Sequence, residues 1–250
     1  MSTQRPTSGF FERVVVISLA RRPQRLAQFR RSFQGWPFKT PELFQAVDGL
    51  SVPVPDYWPH GPGAWGCMLS HRAVLASAIT DRVSSLLVLE DDAILTPDFA
   101  KRAFGFLLNV PDNWDCLMLG AEHLFPPVPV AGGVVRCRGS NRTHAYAVRG
   151  RMMSILPKMW HHFRNEHCDM GLALSMPHCF AYAPDPLLIG QEAGFSDITR
   201  AYEKRRFLDA RQLAAMLASE IAGATDEFDA PLRSRAPAAE VMPDEYAVPV

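Results

Sequence analysis

Three consecutive carboxylates, Glu90-Asp91-Asp92, close the short apolar run Leu86–Leu89. Like charges a few ångströms apart repel, and partial burial makes each harder to ionise. A divalent cation relieves both difficulties, and hard oxygen ligands of this kind suit magnesium or manganese. The competing reading is a solvated turn in which Asp92 or Thr96 caps the helix that follows. His71 is the second residue of interest: its position in a helical repeat turns it inward, which suits either a satisfied core histidine or a working imidazole. A third group, His161, His162, His167 and Cys168, contains metal-capable side chains, but their spacing fits no common zinc pattern.

These side chains need elements to hold them. Val14–Leu19 is a β-branched apolar run that reads as a buried strand. Pro23 then opens an amphipathic helix carrying Leu26, Phe29 and Phe33. Its arginines (21, 22, 25, 30 and 31) read mainly as a solvated face, with those nearest the strand end as the exception. Leu43–Val47 is a second strand, and prolines and glycines make a loop of 51–63. Ala64–Ile79 is a helix with Cys67, Met68, His71, Val74, Leu75, Ala78 and Ile79 on one face, beside a strip of small residues, Gly66, Ser70, Ala73 and Ser77. Leu86–Leu89 is a strand, Pro97 opens a helix to Asn109, and Asp115–Leu119 is a strand ending at Gly120. Shorter strands follow at Val134–Cys137 and His144–Val148, then a helix at Arg151–Phe163, a strand at Cys179–Ala183 and a final helix over Ile198–Ile221. Alternating strands and helices predict an α/β fold with a mostly parallel central sheet flanked by helices. Ligands of such sheets bind beyond the carboxyl ends of the strands, here Ser18–Arg22 and Glu90–Asp92.

The chain has 250 residues with 26 basic and 26 acidic side chains, so no overall field favours nucleic acid or an anionic membrane. A hydrophobic fraction of 48% suffices for a normal core. No stretch reads as a secretion signal or a transmembrane segment, which leaves only peripheral membrane contact open. The five cysteines are odd in number and lack a C-x-x-C pair, so neither a disulfide framework nor a closed zinc site is expected, and Asn141-Arg142-Thr143 is read as a chance sequon. A reduced, cytoplasmic location is the simplest reading. The expected organisation is a flexible 1–12, one domain over 13–222 and a disordered tail over 223–250.

Val14–Leu26 (VVVISLARRPQRL), Gly66–His71 (GCMLSH) and Leu87–Ile94 (LVLEDDAI) resemble, in order and spacing, the three opening blocks of the family 25 glycosyltransferases. This bacterial lipopolysaccharide glycosyltransferase family also includes collagen galactosyltransferases. With Ser196-Asp197-Ile198 the similarity covers positions 13 to 200. The resemblance implies a GT-A-like nucleotide-sugar-binding fold, a UDP-sugar donor (often galactose), manganese or magnesium dependence and inversion at the anomeric carbon. The acceptor would be a glycan, lipid-linked or otherwise. It implies that Asp92 binds the metal and that Glu90 or Asp91 contacts the donor. Ser18, Leu19, Arg22 and Arg25 match a nucleotide-side loop, where a guanidinium can bond two diphosphate oxygens at once; a surface helix is the alternative for Arg25. Ser70 and His71 match the serine-histidine signature. Gln191 and Ser196 fall in QEAGFSDI, which resembles the family's glutamine-to-serine segment.

An inverting transferase needs a carboxylate to take the acceptor proton. Asp169 is the first expectation and Asp197 the second, with a helix N-cap as the alternative for each. Two other readings stand beside this one. The same acidic strand end would serve a metal-dependent phosphohydrolase or nucleotidyltransferase, and a degenerate fold would bind a nucleotide or glycan without catalysis. The intact carboxylates count against the last.

Overall fold

The computed structural model describes residues 9–199 and 201–203. The tail expected from 223, and most of the expected flexible N-terminus, lie outside them. The first strand, β1 (Arg13–Ser18), is buried along almost its whole length. Val14 and Val16 enter one apolar cluster and Val15 and Ile17 the other, as the two-residue period of a doubly covered strand requires. Helix α1 (Pro23–Ser32) starts with proline in its first turn, where a missing N–H removes no helical bond. Edge strand β2 (Glu42–Gln45) leads through a 3-10 turn at Gly49–Ser51 to the long helix α2 (Gly61–Thr80). Strand β3 (Ser85–Glu90) has Leu86, Leu87, Val88 and Leu89 all fully buried, and it passes directly into β4 (Ala93–Leu95) and α3 (Phe99–Asn109).

The second half supplies β5 (Cys116–His123), β6 (Val128–Ala131), β7 (Val134–Arg136), β8 (Ser140–Arg149), α4 (Met152–His162), α5 (Cys168–Ser175) and β9 (Ala181–Pro184). Short strands β10 (Ile189–Gln191), β11 (Gly194–Phe195) and β12 (Tyr202–Glu203) follow. The central sheet has eight strands in the order β2-β1-β3-β8-β5-β9-β7-β6. Only β8 and β7 run against the others, so the expected mostly parallel α/β sheet is the one observed. Residues of α2, α4 and α5 pack into the cluster on one face, and residues of α1 and α3 into the cluster on the other.

Parallel pairing of β1 with β3 sets Ile17 beside Glu90, which brings Ser18 and the acidic run to the same carboxyl edge. Gly66 lets α2 seat closely against the turn before it: an added Cβ would lie 2.5 Å from Gly49 N and 2.6 Å from Val47 O.

Several elements differ from expectation. Helix α3 begins at Phe99 rather than Pro97, after Asp98 takes a left-handed φ of 58°. Strand β5 runs past Gly120 to His123 by shifting register against β8. Ile79, expected on the buried face of α2, is 45% exposed, in the helix's last turn. The helix expected from Ile198 does not begin there. The Ser196 hydroxyl accepts from the N–H of Ile198 and of Thr199, which closes a turn, and Tyr202 pairs with Phe195 as a strand. The rest of that expected helix lies outside the described residues.

Candidate functional site

The chain turns at the carboxyl edge of β3 between Glu90 and Ala93, and its three carboxylates have different partners. Asp91 is held by the first strand and first helix: Ser18 Oγ donates to its Oδ2 at 2.7 Å, and Arg25 Nη2 lies 2.7 Å from its Oδ1. Burial is the largest influence on Asp91 and leaves its pKa raised despite Arg25 and Ser18. Arg25 also reaches Asp92 Oδ2 at 3.1 Å and so bridges the two aspartates. The Asp92 side chain is 23% exposed overall, yet its Oδ1 is closed to water and has no hydrogen-bond partner among the described residues. Burial, and then the charge of Glu90, push Asp92 up to about 7.

Glu90 faces α2 and β8 instead. Thr143 Oγ1 donates to its Oε1 at 2.7 Å, and His71 Nε2 stands 3.4 Å away at ion-pair distance. Burial alone would raise Glu90, but His71 and Thr143 outweigh it and hold the carboxyl at about 2. His71 is fully buried, and its Nδ1 lies 3.1 Å from the Tyr146 hydroxyl. The inward direction read from the helical period is therefore correct, and the histidine lies directly behind the acidic edge.

A second layer forms where the loop after β1 meets the segment after β11. Asp197 Oδ1 accepts from Arg21 and from Arg22, each at 2.9 Å, while Arg21 also bonds Asp48 at 2.6 Å. Burial acts to raise Asp197, but the two arginines outweigh it and leave the pKa lowered. A carboxylate committed in this way fixes arginines and is a weak proton acceptor. Arg22 also stands 5.7 Å from the Phe195 ring centroid. Helix α2 comes so close that a Cβ on Gly63 would lie 2.2 Å from Asp197 O. Gln191 belongs to β10, which pairs with β4, and its neighbour Glu192 donates its N–H to Asp92 O at 2.7 Å.

Leu19 directly follows β1, and its carbonyl accepts from Arg22 N at 2.9 Å. The Ser70 hydroxyl donates to Gly66 O at 2.6 Å and accepts from Val47 N at 2.9 Å, which ties α2 to the chain after β2 and commits its hydrogen. Ser196 likewise serves its turn. The structure thus gathers Ser18, Arg25, His71, Glu90, Asp91 and Asp92 into one cluster. It places Arg22, Gln191 and Asp197 around that cluster, and gives Ser70 and Ser196 local structural bonds.

Residues 59–121, which contain His71 and all three carboxylates, match the family model described as glycosyltransferase family 25 (LPS biosynthesis protein). That segment is similar to family 25 glycosyltransferases. Inactive glycosyltransferase 25 family member 3 of Homo sapiens is 30% identical over 172 residues, covering 59% of this chain and 29% of that protein. A glycosyltransferase 25 family member of Anopheles gambiae is 28% identical over 130 residues, covering 44% and 22%. The chain spans about a quarter of the length of the curated relatives it matches. Among solved structures, a glycosyltransferase involved in the glycosylation of the major capsid of PBCV-1 aligns with a TM-score of 0.41 at 13% identity. That alignment covers 83% of this chain and 99% of that one, a likeness too distant to carry a site across.

Within the matched segment the donor set fits a hard divalent cation at one atom above all. Asp91 and Glu90 have protein partners, whereas Asp92 Oδ1 is buried without one, and a cation there would remove the cause of its raised pKa. Asp169 lies outside that region, in the first turn of α5, half-buried, with its Oδ1 accepting from Met170 N at 2.8 Å. The cysteine beside it, Cys168, lies 4.0 Å from Thr143 Oγ1, which places the start of α5 next to the Glu90 contacts. Sequence reasoning gave no site role to Thr143, Tyr146 or Asp48, and Arg21 was read only as part of the Ser18–Arg22 strand end. Thr143 and Tyr146 lie inside β8, and the roles of all four depend on pairings distant in the chain.

Proposed function

We propose that this chain is a metal-dependent, inverting glycosyltransferase that moves a sugar, galactose first among the choices, from a UDP-sugar to a hydroxyl of a glycan or lipid-linked acceptor. A role in lipopolysaccharide or other surface-glycan synthesis and a cytoplasmic location belong to the same reading. Among the described residues no helix is long and apolar enough to cross a membrane. The observation that carries the proposal is the buried, unpartnered Asp92 Oδ1 at the carboxyl edge of the sheet, inside the matched segment.

A manganese or magnesium ion held by Asp92 would supply positive charge against the diphosphate that departs. Arg25 keeps Asp91 and Asp92 together and partly neutralised, so the carboxylates are positioned before any ligand arrives. Arg21 and Arg22, fixed by Asp197, present guanidinium charge on the nucleotide side. His71 and Thr143 hold Glu90 ionised, and Glu90 or Asp91 contacts the donor in this reading. Asp169 takes the proton of the acceptor hydroxyl as the new glycosidic bond forms.

A panel of nucleotide sugars tested by thermal shift, with and without manganese, examines this directly. The proposal expects one UDP-sugar to stabilise the protein only with the metal present, and UDP to be released when an acceptor is supplied. Stabilisation by a phosphate ester that is then hydrolysed, with no response to nucleotide sugars, would refute it in favour of a phosphohydrolase. The word inactive in the name of the Homo sapiens relative supports a second reading, a nucleotide-binding module without turnover. Metal-dependent donor binding with no UDP release from any acceptor would select that one.

A further inference from the structure

Cys67 and Cys168 are 101 residues apart in sequence, on α2 and α5, yet their Sγ atoms approach to 3.7 Å. His71 lies one turn beyond Cys67 on the same face of α2. The two sulfurs and a ring nitrogen of His71 all fall within 4.8 Å of one another. All five cysteines are free thiols. The His71 ring is fully buried, and with Nδ1 directed at the Tyr146 hydroxyl, its Nε2 has no hydrogen-bond partner among the described residues. That nitrogen stands 3.4 Å from Glu90 Oε1.

Tetrahedral zinc has bonds of about 2.3 Å to sulfur and about 2.0–2.1 Å to nitrogen or oxygen, which sets an S···S edge of about 3.8 Å and an N···O edge of about 3.3 Å. The observed separations of 3.7 and 3.4 Å are close to those two edges, and the sulfur–nitrogen separations lie within 4.8 Å. Packed thiols alone would also stand this far apart. What packing alone does not require is the convergence of two thiols and a buried imidazole, from separate helices, within 4.8 Å of one another.

We propose that Cys67, His71 and Cys168 form a binding site for a soft divalent cation, zinc first, with Glu90 as the adjoining carboxylate. The site is distinct in chemistry from Asp92, whose oxygen favours manganese or magnesium, whereas two sulfurs and an imidazole favour zinc. With a cation on Nε2, the Nδ1–H of His71 would donate to the Tyr146 hydroxyl 3.1 Å away and so hold the ring in place. Binding releases the two thiol protons to water and leaves two thiolates, a neutral imidazole and the ion. Sequence spacing pointed away from such a site, because the two cysteines come together only when α5 packs beside α2.

The test measures metal in the whole protein, purified without chelator, and then follows Co2+ binding to metal-stripped protein by absorption. The proposal expects about one equivalent of zinc per chain. With Co2+ it expects a sulfur-to-cobalt charge-transfer band in the near ultraviolet and intense tetrahedral bands in the visible. Both signals should survive in Asp92→Ala and vanish in the Cys67→Ser, Cys168→Ser double variant. Survival in Asp92→Ala holds whether or not that variant binds UDP, so this inference and the proposed function fail separately. No stoichiometric zinc together with no thiolate band in the wild type would overturn the inference, as would a Cys67–Cys168 disulfide found by mass spectrometry of the alkylated protein. If the double variant does not fold, the wild-type cobalt spectrum decides alone.

Discussion

Asp92 is the residue on which function and stability pull in opposite directions. Its pKa is raised to about 7 from an ordinary 3.8, chiefly by burial and then by Glu90. A raised carboxyl favours the fold fully below pH 3.8, and that contribution is lost as pH rises through 7. Without a divalent cation at pH 8, Asp92→Asn should therefore be more stable than the wild type, by on the order of 2 kcal/mol. Urea midpoints in EDTA at pH 8 and pH 3.5 check this: the advantage should appear only at the higher pH, and an advantage equal at both would remove the electrostatic explanation. Asp169 carries a different expectation. Asp169→Asn should bind donor normally and lose transfer by about 10²-fold, whereas Asp197→Asn should mainly weaken donor binding by freeing Arg21 and Arg22. Near-normal transfer by Asp169→Asn would move the base elsewhere. The acidic run was legible in the sequence because three carboxylates after an apolar strand are costly unless they serve a purpose. Thr143 and the Cys67–Cys168 pair were not, because each acts through a partner that only the tertiary fold supplies.

Among the elements, α2 does the most positioning. It carries His71 inward, packs Gly66 against the turn before it, and touches the Asp197 segment through Gly63. A Cβ at Gly63 would meet backbone, which cannot give way cheaply. Gly63→Ala should therefore destabilise the protein by about 1–3 kcal/mol and weaken donor binding by displacing Asp197 from its arginines. Gly105 in α3 has open space around its would-be Cβ, so Gly105→Ala should be stabilising by about 0.5–1 kcal/mol and serves as the control. Thermal melts and donor titrations of both variants test the contrast, and equal effects would contradict it. The long elements were readable from periodicity: β1, α1, α2, β3 and α4 lie close to where the apolar pattern put them. Strands β4, β10, β11 and β12 were missed, since two or three residues carry no period and form only because a partner chain segment is adjacent.

Over the whole molecule, the charge balance read from composition hides an asymmetry inside. Burial lowers His123 and His144 to about 4 from 6.5. A lowered histidine supports the fold above pH 6.5 and loses that support as pH falls toward 4. Asp92 acts in the opposite sense over the same range, so the effect is cleanest in Asp92→Asn. There the two histidines together should withdraw on the order of 4 kcal/mol between pH 7 and pH 4. Denaturant midpoints that do not move between those values would contradict the burial of neutral imidazoles. The mostly parallel sheet was legible from strand–helix alternation, while the reversed direction of β8, which brings Thr143 and Tyr146 to the site, was not. The central claim is that Asp92 and a divalent cation together hold a nucleotide diphosphate, and calorimetric titration of UDP into the protein with and without manganese measures it most directly. The account predicts clear binding by the wild type only when manganese is present, and a loss of at least about 2 kcal/mol in Asp92→Ala. Equal UDP affinity with and without the metal, or an unchanged affinity in Asp92→Ala, would contradict it.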